Sequence, residues 1–362
     1  MAYTTVNKST EHFDAKIYTG NGSSQTLDMD NLGLLWMKNR TETSNHCLFD
    51  SVRGGHYTSA PGPILRSNGT TTAGGSDITS AYGITFGSSS STIGSDGGGY
   101  NYNQNGKSYV GWQWRANGTG SANTDGSINS TVSVNTTAGF SICKWTGTGS
   151  AGTIGHGLGA VPKIIIIKDL SNTRDWFVYH ASVGNNKRLK LNDTVAEGAS
   201  TVFNSTTPTS SVFSIDGSVY VNNSGSTYIA YCFAEKTGYS KFGSYIGIAN
   251  DNGAFVYTGF APKFIMVKAS TGSSTYSSWS MFDTARSDNL NVGKTLYANK
   301  DYQEGYRGNG SSSTTSPAVD LLSNGFKFRK HADEVNNSST TYVYMAFGQS
   351  IVGSNNIPAT AR

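Results

Sequence analysis

One pattern that occurs three times constrains the fold of this chain more than any other feature. A short apolar run that closes with lysine is found at residues 33–38, 163–168 and 263–268. Each run is followed by a segment in which large apolar residues alternate with other residues, at 109–114, 228–233 and 342–347. Such alternation predicts a strand with one face against a core. The lysine-closed runs are apolar on both faces, so we expect them in the centre of their sheets.

The spacing of the copies predicts the size of the folded units. Each copy spans about 100 to 130 residues with many short strands, which suits a β-sandwich, whereas a propeller blade needs only about 40 to 50. We therefore predict an all-β fold of three tandem β-sandwich repeats with little helix. The predicted divisions are an N-terminal anchoring segment at 1–13 and repeats at 14–139, 140–241 and 242–362. The glycine- and serine-rich insertion at 87–106 is predicted to be a surface loop.

Composition supports this fold class and excludes several functions. Charged residues make up 14% of the chain, well below the usual quarter, and 44 of the 362 residues are glycine. The net charge of +4 contains no block of basic residues, which argues against binding to nucleic acid. No apolar stretch approaches the length of a membrane span, and the N-terminus lacks the apolar core of a signal peptide. Three scattered cysteines fit buried free thiols rather than a disulfide framework or a metal site.

The stretch GHGLGA at 155–160 has the G-x-G-x-x-G/A spacing of a dinucleotide-binding loop. That loop works only where the glycines follow a strand and open a helix, because the helix N-terminus supplies the amide donors. Here the glycines precede the β-branched run at 163–168. We therefore interpret them as tight turns leading into a strand, and we predict no nucleotide and no other cofactor.

The histidines of the second repeat are the residues best suited to general-base catalysis, and the repeat pattern argues against that role. His180 occupies the place that Asp50 and Asp283 hold in the other copies, and no residue of the third repeat matches His156. We interpret both histidines as polar residues at strand ends. The chain also lacks the common hydrolase, zinc and phosphate-binding motifs, so we predict no catalytic residues and no metal site.

Two further patterns are assigned to structure. Asp50 with Arg53, and Asp283 with Arg286, form the same D-x-x-R turn, which predicts a local ion pair or turn hydrogen bond. Most of the tryptophans are expected in the core; they are Trp36, Trp112, Trp114, Trp145, Trp176 and Trp279.

Four loop tyrosines are the predicted receptor contacts. Tyr100 and Tyr102 lie in GGGYNYNQNG, and Tyr302 and Tyr306 lie in NKDYQEGYRGNG. Aromatic residues among Gly, Asn and Gln are typical of adaptable binding loops, and aromatic rings stack on the apolar faces of sugars.

Several phrases of the sequence resemble a known family when taken together and in order. They are MAYTTVNKST, YTGNGSSQT, LFDSVRG, GSANTDGSINSTVSVNTTAGFSI, GHGLGAVPKIIIIKD and YIAYCFAE followed by GYSKFGSY. They resemble a repeat domain of predicted tail-fibre and virion surface proteins of marine bacteriophages, and the resemblance covers nearly the whole chain. It implies lectin-like, jelly-roll-type sandwiches and a non-enzymatic role.

The resemblance implies a place and partners for the chain. We expect a protein made in the host cytoplasm and carried on the virion surface, as a short fibre, a tail fibre or a capsid decoration. The expected partners are other virion proteins, bound through the N-terminal segment, and a host surface glycan. A homo-oligomer is expected, with a trimer favoured. Two alternatives stay open: a depolymerase that degrades host polysaccharide, and a scaffold without a ligand.

Overall fold

The fold is built almost entirely from short antiparallel strands. A computed structural model describes residues 4–29, 32–54, 64–72, 83–87, 90–95, 101–272, 276–286, 294–306 and 318–350. Within these ranges the chain forms strands and one short 3-10 turn, Ser9–Glu11, without an α-helix. The all-β prediction is confirmed.

The strands fall into three groups along the chain. Unit 1 contains β1 (Phe13–Thr19), β2 (Gln25–Leu27), β3 (Leu34–Asn39), β4 (Cys47–Asp50), β5 (Ile84–Phe86), β6 (Ser91–Ile93) and β7 (Ser108–Trp114). Unit 2 contains β8 (Ser121–Asn123), β9 (Ser130–Asn135), β10 (Phe140–Thr146), β11 (Gly152–Gly155), β12 (Ile164–Asp169), β13 (Phe177–His180), β14 (Lys187–Lys190), β15 (Gly198–Ala199), β16 (Val212–Ile215) and β17 (Thr227–Phe233). Unit 3 contains β18 (Ser240–Ile246), β19 (Phe255–Tyr257), β20 (Ala261–Ala269), β21 (Ser280–Asp283), β22 (Leu296–Tyr297), β23 (Val319–Leu322), β24 (Gly325–Phe328) and β25 (Thr341–Gln349).

Each unit has one large and one small sheet, and the large sheets share a strand order. It is β1-β7-β3-β4 in unit 1, β10-β17-β12-β13-β14 in unit 2 and β18-β25-β20-β21-β22 in unit 3. Unit 2 carries β9 and β8 outside β10, and β15 outside β14. The small sheets are β2-β6-β5, β11-β16 and β19-β24-β23. The lysine-closed runs form β3, β12 and β20, each with a neighbour on both sides as predicted.

The two faces of each large sheet pack into different cores. In β3, Leu35 and Met37 belong to the core between the large and small sheets of unit 1. Leu34 and Trp36 point the other way, into a core that also contains residues of units 2 and 3. Units 2 and 3 have the same arrangement, each with its own inner core and a share of the common one. The central strands are apolar on both faces because each face meets a separate core.

The common core, which we call the central core, joins all three units through aromatic contacts. The ring of Phe347 in unit 3 lies 5.4 Å from Phe13 of unit 1 and 5.7 Å from Phe233 of unit 2, between ring centroids. These separations are typical of favourable aromatic pairs. The six tryptophans are all buried, at most 3% exposed, as predicted. The three units therefore form one packed body rather than separate domains joined by linkers.

Two predicted boundaries do not match the sheets. The division at 139/140 separates β9 from β10. These strands pair antiparallel, with Ser130 opposite Trp145 and Asn135 opposite Phe140. The division at 241/242 falls inside β18, which pairs with β25 from residue 240 onward. The polar sequence before residue 139 is the reason for the predicted boundary, but it forms a β8–β9 edge hairpin that pairs with β10.

Two segments predicted to lie outside the sandwiches also take part in the fold. In the insertion at 87–106, β6 pairs with both β2 and β5, and Ile93 is fully buried. In the predicted anchoring segment, Val6 belongs to the central core, and the Ser9 N–H donates a hydrogen bond to Oε1 of Gln349 at 2.7 Å. Residues 4–13 therefore pack against the body of the chain, since burying Val6 and Phe13 removes apolar surface from water.

We expect the central core to make unfolding cooperative across all three units. Phe347→Ala should lower the free energy of unfolding by about 3 to 5 kcal/mol, because it removes a ring shared by three units. Urea unfolding followed by tryptophan fluorescence and by far-UV circular dichroism should still show one coincident transition. The control Phe255→Ala removes a ring that is 46% exposed and should change the stability by less than about 1 kcal/mol. Separate transitions for the units would contradict the shared core.

Candidate binding site

A repeated hydrogen bond joins each unit to the next. In each unit, the aromatic residue directly before β4, β13 or β21 donates a ring N–H to a backbone carbonyl of another unit. The donors and acceptors are His46 Nε2 to Tyr297 O (2.9 Å), Trp176 Nε1 to Arg66 O (3.0 Å) and Trp279 Nε1 to Lys190 O (2.8 Å). Unit 1 thus binds unit 3, unit 2 binds unit 1, and unit 3 binds unit 2. The three bonds close a ring, which gives the chain a pseudo-threefold arrangement.

The acceptors lie in a six-residue motif that sequence comparison of the copies had missed. It is LRSNGT at 65–70, LKLNDT at 189–194 and LYANKD at 296–301. The asparagine of each motif accepts the backbone N–H of the ring residue through Oδ1; the pairs are Asn68 with His46, Asn192 with Trp176 and Asn299 with Trp279. The recurrent Leu-x-x-Asn spacing was the available signal.

Buried carboxylates form a second set of junction contacts. Asp50 Oδ2 accepts a hydrogen bond from the hydroxyl of Tyr231 at 2.8 Å and pairs with Arg53. In the same way, Asp283 Oδ2 accepts from Trp112 Nε1 at 2.9 Å, and it pairs with Arg286 at 2.6 Å. The predicted D-x-x-R ion pairs are confirmed, and both carboxylates are fully buried. Each negative charge is therefore matched by a cation within its unit and by a donor from the neighbouring unit.

His180 replaces the carboxylate where the neighbouring unit offers no donor. In unit 3, Met345 has the strand position that Tyr231 and Trp112 hold elsewhere, and a thioether cannot donate a hydrogen bond. His180 accepts the N–H of Ser182 at Nδ1 and donates from Nε2 to the carbonyl of Tyr344 at 3.2 Å. Burial lowers the pKa of His180 to about 4, so the ring stays neutral. Its place in the junction explains its burial without any catalytic role.

His156 and the glycine-rich stretch are also accounted for by packing. His156 Nδ1 accepts the N–H of Leu158, and Nε2 donates to the carbonyl of Thr209 at 3.2 Å. Burial lowers the pKa of this ring. The stretch connects β11 to β12, and Gly157 and Gly159 have φ angles of 67° and 66°, which glycine adopts without strain. A strand follows the glycines, as expected, so the helix N-terminus that a nucleotide phosphate requires is not formed here.

The lysines that close the central strands are buried and point into the junctions. Lys168 Nζ donates to the carbonyl of Thr70 at 3.0 Å, and Lys268 Nζ donates to that of Thr194 at 3.0 Å. Burial lowers the pKa of Lys38 and of Lys268 to about 7. With side chains sealed inside the body, these amines stabilise the junctions and are not accessible to a substrate.

Of the two tyrosines predicted in the 87–106 insertion, the structure describes only Tyr102. Tyr102 is fully buried, and its hydroxyl accepts the N–H of Gly83 at 2.9 Å. Its ring packs edge-on against Phe49. The prediction for Tyr102 is therefore wrong: the small sheet needs this ring in its core, and the backbone satisfies its polar end. Tyr100 lies outside the described residues.

Tyr302 and Tyr306 form a partly exposed aromatic pair, which is the candidate binding site. Their ring centroids are 6.2 Å apart, and Lys300 Nζ lies 5.8 Å from the centroid of Tyr302. A bidentate ion pair holds the intervening loop against unit 1, with Arg40 Nε and Nη2 at 2.7 and 3.0 Å from the carboxylate of Glu304. The loop is thus fixed before any ligand binds, which lowers the entropy cost of binding.

Other features add little to this site. Across the described ranges, no cluster of three or more His, Cys, Asp or Glu residues could hold a metal ion. A cleft of about 250 Å³ lies beside β18 and β19, lined among others by Glu235, Lys241 and Tyr257. The central core encloses a cavity of only about 10 Å³ with apolar walls. In the described chain we find no helix with the length and apolarity to cross a bilayer.

A family model described as Domain of unknown function (DUF7483) matches residues 8–350. The chain belongs to the DUF7483 family. The match spans all three units together, in keeping with their common core. No curated protein and no solved structure matches the chain.

The junction chemistry of this DUF7483 chain predicts losses of stability of different size for two substitutions at one position. His180→Asp should cost about 3 to 5 kcal/mol at pH 7, because the buried carboxylate would have neither an arginine in its own unit nor a donor from the neighbouring unit. The control His180→Asn keeps the acceptor for Ser182 and should cost only about 1 kcal/mol. Urea unfolding measures both. The triple variant His180→Asp/Val183→Arg/Met345→Tyr rebuilds the set found around Asp50 and should recover most of the loss. Equal stability of the Asp and Asn variants would contradict the matching of donors and charges.

The tyrosines of the DUF7483 chain should separate by stability. Tyr102→Ala should lower the free energy of unfolding by about 3 to 5 kcal/mol, since it empties a buried site. Tyr302→Ala should change it by about 0.5 kcal/mol or less, because that ring is partly exposed on a loop held by other contacts. Thermal and urea unfolding provide the measurement. A stable Tyr102→Ala variant would show that this ring is dispensable to the core.

Proposed function

We propose that this chain is a non-enzymatic protein of a bacteriophage virion surface: a short fibre, a tail fibre or a capsid decoration. The observation that carries the proposal is the rigid, pseudo-threefold body, in which three units share one core and a hydrogen bond joins each unit to the next. Such a body keeps its surface loops in fixed positions. The resemblance of its repeated phrases to virion surface proteins supports the same conclusion.

We further propose that the Tyr302–Tyr306 pair contacts a host surface glycan. Two neighbouring rings on a fixed loop offer flat apolar surfaces of the kind that stack on sugar rings. Lys300 adds a positive charge beside Tyr302, which favours an acidic sugar. Of the four tyrosines predicted from sequence, these two keep that role in the proposal.

Other virion proteins are the proposed partners, and a homotrimer is the proposed assembly. One face of each large sheet is already buried in the central core, so a trimer of chains would form through outer surfaces or loops. Lys8 and Glu11 of the N-terminal segment have side chains 67% and 57% exposed, and they are available to a partner. Because Val6 belongs to the central core, charge reversal at Lys8 and Glu11 tests anchoring better than deletion of the segment.

Binding and activity assays test the role together. On an array of host surface glycans, Tyr302→Ala and Tyr306→Ala should each weaken binding about tenfold or more. The control Tyr220→Ala removes a ring that is 45% exposed elsewhere and should bind like the wild type. Incubation with host polysaccharide should release no reducing ends. Release of reducing ends would establish a depolymerase and overturn the non-enzymatic role.

The place in the particle is tested separately. Cryo-electron microscopy of particles of the encoding phage should resolve this three-sandwich body on the outer surface. Particles assembled with Lys8→Glu/Glu11→Lys should carry fewer copies, as measured by quantitative mass spectrometry. Absence of the chain from purified particles would refute the virion assignment, whatever the glycan assays show.

A further inference from the structure

The first strands of the three large sheets are equivalent, but their outer edges differ in what covers them. They are β1, β10 and β18, each paired on one side with the last strand of its unit. An unpaired strand edge presents free N–H and C=O groups that can recruit another chain. The three edges within one chain therefore serve as internal controls for one another.

The edge of β10 is covered by the chain itself. Strand β9 pairs with β10 along its length, and β8 pairs with β9 in turn. The same segment reaches the small sheet, where Ile128 bridges Ile154 and the N–H of Thr153 donates to the hydroxyl of Ser127. The segment 121–135 thus closes one whole side of unit 2. It shows what kind of element this sandwich accepts at that side.

The edge of β1 is guarded by charge. Lys16 projects from the middle of the strand and binds the carboxylate of Asp28 at 2.7 Å, with Asp14 at 3.7 Å. An incoming strand would have to desolvate these groups, and charged side chains on an edge strand commonly prevent pairing.

The second half of β18 has neither device. Gly243 stands where β1 has Lys16. The alternation of antiparallel pairing directs the N–H and C=O groups of Ser244 and Ile246 outward, and within the described chain no strand pairs with that edge. Ile246 is 62% exposed and Ile248 is 51% exposed. The first half of the edge is closed, since the N–H of Phe242 donates to Glu235.

We infer that β18 is a docking edge that takes an extended, β-branched segment of a partner polypeptide, paired antiparallel as β9 pairs with β10. In unit 2, Val132 lies opposite Cys143, whose place in unit 3 is taken by Gly243. The ring of Tyr344 lies over Gly243 and fills the place that a side chain would take there, so a β-branched residue of the partner opposite Gly243 would pack against this ring. The exposed Ile246 selects an apolar residue opposite it, because cross-strand apolar pairs stabilise a sheet.

A labelled peptide of residues 119–136 is the probe, and the full-length protein is the receptor. Fluorescence anisotropy should show saturable binding, and hydrogen exchange should slow at the amides of Ser244 and Ile246. Ser244→Pro removes an outward donor, and Ile246→Lys adds an edge charge; each should weaken binding at least tenfold. A peptide carrying Asn129→Ile, which places an apolar residue opposite Ile246, should bind up to about fivefold more tightly.

Matched controls locate the effect on β18. Ile17→Pro alters the equivalent position of β1, and Val219→Lys charges a residue that is 41% exposed elsewhere; both should bind like the wild type. Thermal unfolding verifies that each variant is folded. Absence of saturable binding at about millimolar peptide, or binding that the β18 variants leave unchanged, would overturn the inference. Light scattering provides a further test. If the wild type dimerises and Ile246→Lys abolishes the dimer, the occupant of the β18 edge is a second copy of this chain and not another polypeptide.

Discussion

The structure depends on burying both faces of three central strands at once. A sandwich of two sheets needs only one apolar face on each sheet, and the opposite face ordinarily meets water. Here the second faces of the large sheets meet one another, so Leu34 and Trp36 are as deeply buried as Leu35 and Met37. The low content of charged residues follows from this arrangement, because fewer strand positions face solvent than in three separate sandwiches.

The buried carboxylates in the junctions, Asp50 and Asp283, are each paired with a cation and a hydrogen-bond donor. A buried carboxylate is stabilising only when its desolvation is offset by nearby cations and donors. Burial raises the pKa of Tyr231 well above its usual value, and the charge of Asp50 adds to this, so its hydroxyl remains a donor. Where the third junction lacks such a donor, a neutral histidine takes the place of the charged pair. The exchange of Asp for His along the sequence is thus a change of hydrogen-bonding partner.

The sequence was sufficient to predict strands and their buried faces, and insufficient to predict what those faces contact. Period-two alternation identified the faces of β7, β17 and β25, and repetition assigned Asp50, His180 and Asp283 to one position. Alternation does not indicate whether a buried face packs within its own unit or against another unit. The central core could therefore not be predicted from it. Tyr102 was misplaced because its Gly- and Asn-rich surroundings suit a loop as well as a buried turn. The sequence assigns residues 121–135 to the first repeat, because their hydroxyl-rich composition indicates a boundary after them and hides their pairing with β10.

The three junctions have the same geometry but different hydrogen-bonding groups, so each unit fits only one position in the body. A unit placed in the wrong position would bring a carboxylate against a thioether, or a histidine against a tyrosine hydroxyl that needs an acceptor. The three units are therefore not interchangeable, and their cyclic order depends on these contacts as well as on chain connectivity. Misassembly of similar units is a characteristic folding failure of repeat proteins, and unequal junctions make misregistered docking of these units less favourable than the native order.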